Sequence, residues 1–80
     1  MRQKPLFIRA EWDEEATVWV ATSDDVPGLA TEAATMEALV EKLRVMIPEL
    51  LMANDTAFEE DEVPFEIITR RFELTQRVEH

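Results

Sequence analysis

The stretch Asp25-Val26-Pro27-Gly28-Leu29-Ala30-Thr31-Glu32 decides how this chain folds, because it contains the only glycine in 80 residues. Pro27 presets φ near the value of a turn, and Gly28 can adopt a positive φ that other residues avoid. The side chains of Asp24 and Asp25 can accept hydrogen bonds from amides further along the turn. We therefore predict one sharp corner, with Asp24, Asp25, Pro27 and Gly28 as its structural residues.

Two strands are predicted before the corner. Leu6 to Asp13 alternates between apolar and polar residues, which is typical of a half-buried strand. Thr17 to Thr22 is rich in β-branched and aromatic residues. The polar residues 13–16 between them predict a turn, so the two strands form a hairpin.

The length of the hairpin loop decides which side chains face the core. A loop of three or five residues places Val18 and Val20 on the core face and leaves Phe7 and Trp19 together on the opposite face, whereas a four-residue loop reverses the second strand. We predict the odd loop because it gives the more coherent apolar face. In that register the first strand contributes Leu6, Ile8, Ala10 and Trp12 to the core face.

A short strand and a helix are predicted after the corner. The strand covers Leu29 to Ala33, and Thr35 has the character of a helix N-cap. An apolar stripe at spacings of three and four residues follows, and it consists of Met36, Leu39, Val40, Leu43, Met46, Ile47, Leu50 and Leu51. Pro48 interrupts this stripe, so we predict a kink or break there and a second short helical piece to about Ala53.

The last part of the chain predicts an acidic loop and a long strand. The loop covers residues 54–63, and the strand covers Phe65 to Val78. The apolar positions change from odd to even numbers inside this strand, which predicts a bulge or bend near Thr69 to Arg71. A strand of this length would span about 46 Å, against about 30 Å for a globule of this size. The strand therefore bends, or its end projects as an arm.

The composition is strongly acidic, with 18 acidic residues, 8 basic residues and a formal net charge of −10. No lysine or arginine lies between Ala10 and Glu41 or between Val45 and Thr69, so direct binding to nucleic acid is not expected. An acidic surface suits solubility or the electrostatic steering of a basic partner.

The chain length predicts one domain, residues 1–80, with a thin core that would gain from pairing with a second copy. The absence of cysteine excludes disulfides and thiolate metal sites. The apolar runs are far too short to cross a bilayer, and no secretory signal opens the chain. We therefore expect a soluble, cytoplasmic protein.

Clustered carboxylates are the only catalytic ingredient in this sequence. Asp13, Asp24, Asp25 and Glu32 could converge near strand ends and hold Mg²⁺, but no spacing specifies such a site. A single glycine cannot form a phosphate-binding loop, and His80 is terminal. We predict no catalytic residue, no metal and no cofactor.

Several motifs together resemble a known superfamily. Asp25-x-Pro27-Gly28-Leu29-x-Thr31-Glu32-x-x-Thr35, followed by an amphipathic helix, is similar to the HicB-like antitoxins. A closer resemblance is to a group of short, uncharacterised HicB-like domains, over about residues 6–54. Its motifs here are Trp12-Asp13-Glu14-Glu15, Val18-Trp19-Val20-Ala21, Ser23-Asp24-Asp25-Val26-Pro27-Gly28-Leu29 and Ile47-Pro48-Glu49-Leu50-Leu51.

The resemblance implies an α+β domain with an incomplete ribonuclease H-like fold. Three antiparallel strands are followed by one helix and by a fourth strand beside the first, in the order β-β-β-α-β, with a mostly antiparallel sheet. The resemblance also implies that the domain is not catalytic. It further implies a protein partner such as HicA, which is a small basic mRNA interferase. HicB antitoxins usually carry a C-terminal DNA-binding module, but residues 65–78 predict a strand, so autorepression by this chain is not expected.

Our functional hypothesis is a non-enzymatic interaction module that forms a homodimer and engages a basic protein partner. The candidate interface residues are Phe7, Trp19, Phe72 and Leu74. Two alternatives stay open. One is a metal-dependent nuclease of the ribonuclease H type, and the other is a freestanding dimer in which the arm, residues 72–80, adds a strand to another chain.

Overall fold

The computed structural model describes residues 4–55 and 62–78 and shows an α+β domain. Within these residues the chain forms four strands and one helix in the predicted order β-β-β-α-β. These elements are β1 (Leu6–Asp13), β2 (Val18–Thr22), β3 (Ala30–Ala33), α1 (Met36–Ala53) and β4 (Phe65–Arg70). In the part of the chain described, no helix is both long enough and apolar enough to cross a membrane.

The four strands form one sheet in the order β3-β2-β1-β4. β1 pairs with β2 and β2 pairs with β3 in antiparallel fashion, whereas β4 runs parallel to β1. The expected mostly antiparallel sheet, with the last strand beside the first, is therefore observed. β3 and β4 are the two edges of the sheet.

The register of the β1–β2 hairpin differs from the prediction. Trp12 lies opposite Trp19 and Asp13 opposite Val18, so the loop has four residues, 14–17, and the predicted odd loop is wrong. The turn is closed by Asp13, whose carbonyl accepts a hydrogen bond from the Thr17 amide at 2.8 Å. Thr17 adopts a left-handed backbone with φ 54°, a conformation that nothing in a threonine predicts.

The observed register moves Trp19 to the core face of the sheet. The rings of Trp12 and Trp19 meet edge to face, with centroids 5.3 Å apart. Such a pair contributes about 0.5–1.5 kcal/mol beyond its buried area. The β-branched residues Val18 and Val20 favour the odd loop, whereas the contact between Trp12 and Trp19 favours the four-residue loop.

The core lies between the helix and one face of the sheet and is entirely apolar. No polar or charged side chain among the described residues is buried. α1 contributes one residue per turn, and the corner and the strands contribute the rest. The buried residues are Ile8, Ala10, Ala21, Val26, Leu29, Ala33, Leu39, Leu43, Ile47 and Leu51.

The helix begins and ends where the sequence predicts, but it is not interrupted at Pro48. The Thr35 side chain accepts a hydrogen bond from the Ala38 amide at 3.1 Å, which confirms the N-cap. α1 then continues through Pro48 to Ala53, so of the predicted kink or break the break does not occur, and the predicted helical end at about Ala53 is confirmed. Ile47 and Leu51 are buried on either side of the proline, and this packing holds the two halves in one helix. Pro48 itself is exposed, where water can reach the carbonyl that it leaves unpaired.

Replacement of the N-cap should have a moderate effect on stability. We expect Thr35→Ala to lower the free energy of unfolding by about 1 kcal/mol, because the Ala38 amide loses its acceptor. Urea denaturation followed by circular dichroism measures this change. Thr35→Ser keeps the hydroxyl and should remain within about 0.5 kcal/mol of the wild type. Equal losses in the two variants would contradict the capping role.

The predicted corner is present and is fastened to the helix. Gly28 has φ 86°, and a Cβ built there would lie 3.6 Å from Leu50, so the glycine is required by the backbone conformation and not by lack of space. Asn54, the C-cap of α1, donates a hydrogen bond from its side chain to the Pro27 carbonyl at 3.1 Å. The predicted acidic loop begins at Asn54, but residues 56–61 lie outside the described residues.

The last strand is shorter than predicted. β4 ends at Arg70, and residues 71–78, which we call the C-terminal arm, are exposed and have no regular secondary structure. The pairing of β4 with β1 is regular from Phe65 to Arg70, so the predicted bulge near Thr69 is wrong. The apolar phase changes for another reason: Phe65 and Ile67 pack against the core, whereas Ile68 is 53% exposed on the other face.

Candidate interaction surface

The face of the sheet that points away from α1 is not covered by any element of residues 4–55 and 62–78, and we call it the open face. The pairing of the strands places on it alternate residues of all four strands. Its members are Phe7, Arg9, Glu11, Asp13, Val18, Val20, Thr22, Ala30, Glu32, Glu66, Ile68 and Arg70. Because the one helix of the described chain covers the core face, this second face is available to another molecule.

Phe7 on β1 and Ile68 on β4 form the apolar part of the open face, which we call its apolar centre. Phe7 is 50% exposed and Ile68 is 53% exposed, and both line one groove across β1 and β4. Val18 and Val20 on β2 are half-buried. The charged β1 residues Arg9 and Glu11 lie between these valines and Ile68. The apolar surface therefore consists of Phe7 and Ile68, and large apolar side chains exposed side by side on a regular surface indicate a site of protein contact.

Acidic residues cluster at the hairpin end of the sheet, and Glu11 also lines the groove that contains Phe7 and Ile68. Glu11, Glu14 and Glu15 line a second depression together with Trp12 and Val20. The Glu14 carboxylate accepts a hydrogen bond from the Trp12 indole N–H at 2.9 Å, so it is held beside the sheet. The carboxylates at the hairpin end of the domain therefore lie next to the side chains of Trp12 and Val20.

The two arginines of the open face lie beside acidic groups. Arg9 forms an ion pair with Asp24 at 3.1 Å, and both side chains are largely exposed. Such a pair contributes little to stability, but it neutralises a positive charge on this surface. Arg70 lies opposite Glu11 in the pairing of β1 with β4.

The corner residues hold Phe7 in place by a contact that the sequence did not suggest. The Asp25 carboxylate accepts a hydrogen bond from the Phe7 amide at 2.8 Å, and the Ser23 hydroxyl donates one to the Phe7 carbonyl at 2.6 Å. The chain leaves the β1–β2 ladder after Thr22, so on the side of Phe7 away from β4 these two side chains take the place of a β2 partner. The prediction that Asp24 and Asp25 bond downstream amides is wrong, because both reach across to β1.

The predicted interface residues fall in three different places. Phe7 lies on the open face as expected. Trp19 lies on the core face, so the expectation that it accompanies Phe7 is wrong. Phe72 and Leu74 lie on the C-terminal arm and are 75% and 84% exposed. Ile68 was not proposed, although the phase change inside the last strand was a signal that its side chain faces outward.

The carboxylates of the nuclease alternative are engaged separately. Asp13 accepts hydrogen bonds from the amides of Glu15 and Ala16 in the hairpin turn, while Asp24 and Asp25 bind β1 as described above. Across residues 4–55 and 62–78, no three His, Cys, Asp or Glu side chains come together in a group that could hold a metal ion. The geometry of the described residues therefore gives that alternative no support.

These features define a small α+β domain with an uncovered, acid-rimmed sheet face. Residues 5–77 match a family described as a domain of unknown function, DUF1902, and the chain belongs to this family. The crystal structure of the hypothetical protein TTHA1013 from the extremely thermophilic bacterium Thermus thermophilus is similar, with 51% sequence identity and a TM-score of 0.69. The similarity covers 92% of this chain and 100% of that one. No curated protein shows a significant match to the chain.

Proposed function

We propose that this protein is a non-enzymatic interaction module of the HicB-like type that binds a basic protein through its open face. In this proposal its sheet and helix correspond to an incomplete ribonuclease H-like fold without an active site. One observation supports it above the others: Phe7 and Ile68 remain half-exposed on a regular sheet face that no element of the described chain covers. A partner that covered this face would remove both side chains from water.

The apolar centre would supply the affinity of such a complex. Burial of a large apolar side chain contributes about 1.5–3 kcal/mol, and interface energy is usually concentrated in a few central residues. Phe7 and Ile68 are the largest apolar side chains of the open face, and Asp25 and Ser23 fix the backbone that carries Phe7. A prepositioned aromatic residue loses little conformational entropy on binding.

The acidic rim would select a basic partner. With a net charge of −10, the protein attracts cationic surfaces and repels nucleic acid, and Glu11 places negative charge between the acidic hairpin end and the groove of Phe7 and Ile68. Charge complementarity of this kind raises the association rate and makes it dependent on salt. A HicA-type mRNA interferase, small and basic, has the chemistry that this surface would recognise.

Loss of an apolar residue from the open face should weaken inhibition of such a toxin. We expect the wild-type protein to block cleavage of labelled RNA by a purified HicA-type mRNA interferase. Phe7→Ser should raise the half-inhibitory concentration at least about tenfold, which corresponds to about 1.4 kcal/mol. Val45→Ser is the matched control, because Val45 is 61% exposed on α1 and far from the open face; it should inhibit as the wild type does.

Two results would contradict the proposal. The first is an absence of inhibition by the wild-type protein at low salt and in large excess over the toxin. The second is cleavage of labelled RNA by the protein alone with Mn²⁺, lost in Asp25→Asn, which would instead support the nuclease. An equal loss of inhibition in Phe7→Ser and Val45→Ser would place the contact away from the open face.

A further inference from the structure

The C-terminal arm, residues 71–78, has the sequence of a strand but no strand partner. Phe72, Leu74 and Val78 are 75%, 84% and 75% exposed. Among the described residues, no backbone hydrogen bond joins residues 72–78 to another part of the chain. The segment contains neither proline nor glycine, so every backbone group in it can pair. Three large exposed apolar side chains at even positions would share one face of a strand, and such a face is typical of a surface that another polypeptide covers.

The arm leaves the sheet because β1 ends. The pairing of Leu6 with Phe65 continues to Glu11 with Arg70, and in the same register Arg71 would follow beside Trp12. The Arg71 guanidinium does lie over the Trp12 ring, 4.4 Å from its centroid. The register of the last strand against β1 therefore persists to Arg71. Two residues further along, the opposite position on β1 already belongs to the hairpin turn. Continued in strand form, the arm would keep Phe72 and Leu74 on the open-face side, in phase with Ile68.

The free edge of β4 is the matching surface. β4 is an outer strand of the sheet, so one row of its backbone amides and carbonyls has no strand partner in the part of the chain that the structure describes. Its six residues span about 20 Å, and the eight residues of the arm, when extended, span about 26 Å. The arm of a second copy is therefore long enough to cover the whole edge. The arm of the same chain could reach this edge only through a tight hairpin turn after Arg71, and residues 71–75 contain none of the glycine, asparagine, aspartate or proline that such turns favour.

We propose that two copies of this chain exchange arms, each arm forming an antiparallel strand on the free edge of the other copy's β4. A two-fold axis at Arg71 pairs all six β4 residues with residues 72–77, and places Leu74 of one copy beside Ile68 of the other. Arg70 then lies opposite Phe72, and Glu66 lies opposite the neutral Gln76, so no two acidic residues face each other. The resulting sheet is continuous across the dimer, and its open face gains four apolar arm residues, Phe72 and Leu74 from each copy.

This inference goes beyond the proposed function and does not depend on it. It concerns the edge of the sheet and a second copy, whereas the basic partner concerns the open face. Failure of the protein to inhibit a toxin would not count against the dimer. Conversely, a monomeric protein could still bind a toxin through Phe7.

The oligomeric state tests the exchange directly. We expect light scattering at about 50 μM to give a dimer for the full chain and a monomer for the chain shortened to residues 1–70. Leu74→Asp should also give a monomer, since it places a charge beside Ile68 of the other copy without touching the fold of its own. Val45→Asp, an equally exposed position on α1, should remain a dimer. A monomeric wild type, or a shortened chain that is folded by circular dichroism and still dimeric, would overturn the proposal.

Single cysteines locate the two-fold axis, because the natural chain has none. Arg71→Cys should form an intermolecular disulfide under mild oxidation, since a residue on the axis faces its own copy. Thr75→Cys should not do so, because in the proposed pairing it lies opposite Ile67. The double variant Ile68→Cys with Leu74→Cys should run entirely as a dimer on a non-reducing gel. Crosslinking at Thr75 but not at Arg71 would overturn the register.

Discussion

Replacement of Leu43 by alanine is expected to reduce the free energy of unfolding by about 2–5 kcal/mol. Leu43 is fully buried at the middle of α1, where it packs against the sheet. A domain of 80 residues has a total stability of only about 4–12 kcal/mol, so this variant should be largely unfolded at temperatures where the wild type is intact. Thermal denaturation followed by circular dichroism measures the difference.

Val45→Ala is the matched control for this change. Val45 lies on the same helix, two residues away, but is 61% exposed, and alanine has the higher helix propensity. We therefore expect a change within about 0.5 kcal/mol. Comparable losses in the two variants would mean that α1 does not cover the sheet with the face assigned to it.

Trp19→Ala should be nearly as destabilising, and it tests the register of the hairpin. In the observed register Trp19 lies on the core face against Trp12, so its removal should cost about 2–4 kcal/mol. In the register with an odd loop, Trp19 would lie on the open face, and its removal would have little effect on stability. Urea denaturation distinguishes the two.

Val20→Ala serves as the comparison on the same strand. Val20 lies opposite Glu11 on the open face and is half-buried, so we expect a loss of about 1 kcal/mol or less. If Val20→Ala proved the more damaging substitution, the register described here would be wrong. The two variants thus separate the faces of β2 without any structural measurement.

Local sequence signals were sufficient for most elements of this fold. The alternation in β1, the capping threonine and the apolar stripe of α1 act within a few residues, and each predicted its element correctly. Gly28 likewise identified the corner. These features depend on backbone geometry and on amphipathic spacing, which neighbouring residues determine.

The errors occurred where contacts distant in sequence decide the outcome. Hairpin register depended on the left-handed backbone of Thr17 and on the pairing of Trp12 with Trp19. Continuation of the helix through Pro48 depended on burial of Ile47 and Leu51 against the sheet. The end of β4 depended on the end of its partner β1, which is more than 50 residues earlier in the sequence.

The candidate surface was only partly predictable for the same reason. Phe7 followed directly from the alternation of β1. Ile68 required the position of β4 in the sheet, and the role of Asp25 required knowledge that the corner folds back onto Phe7. A carboxylate in a turn has many local acceptor roles, so its sequence context alone does not reveal a bond to a residue 18 positions away.

β1 pairs with one strand that is close to it in sequence and with one that is far from it, and this difference affects the order of folding. Its antiparallel neighbour β2 follows after a four-residue turn, whereas its parallel neighbour β4 follows only after the corner, the helix and the acidic segment. Closing the longer loop costs more chain entropy and delays the contacts that compensate for it. β4 is therefore expected to dock last, and until it arrives a nascent chain presents the edge of β1 to any other strand nearby. During this interval, pairing of the free β1 edge with another chain competes with completion of the native sheet.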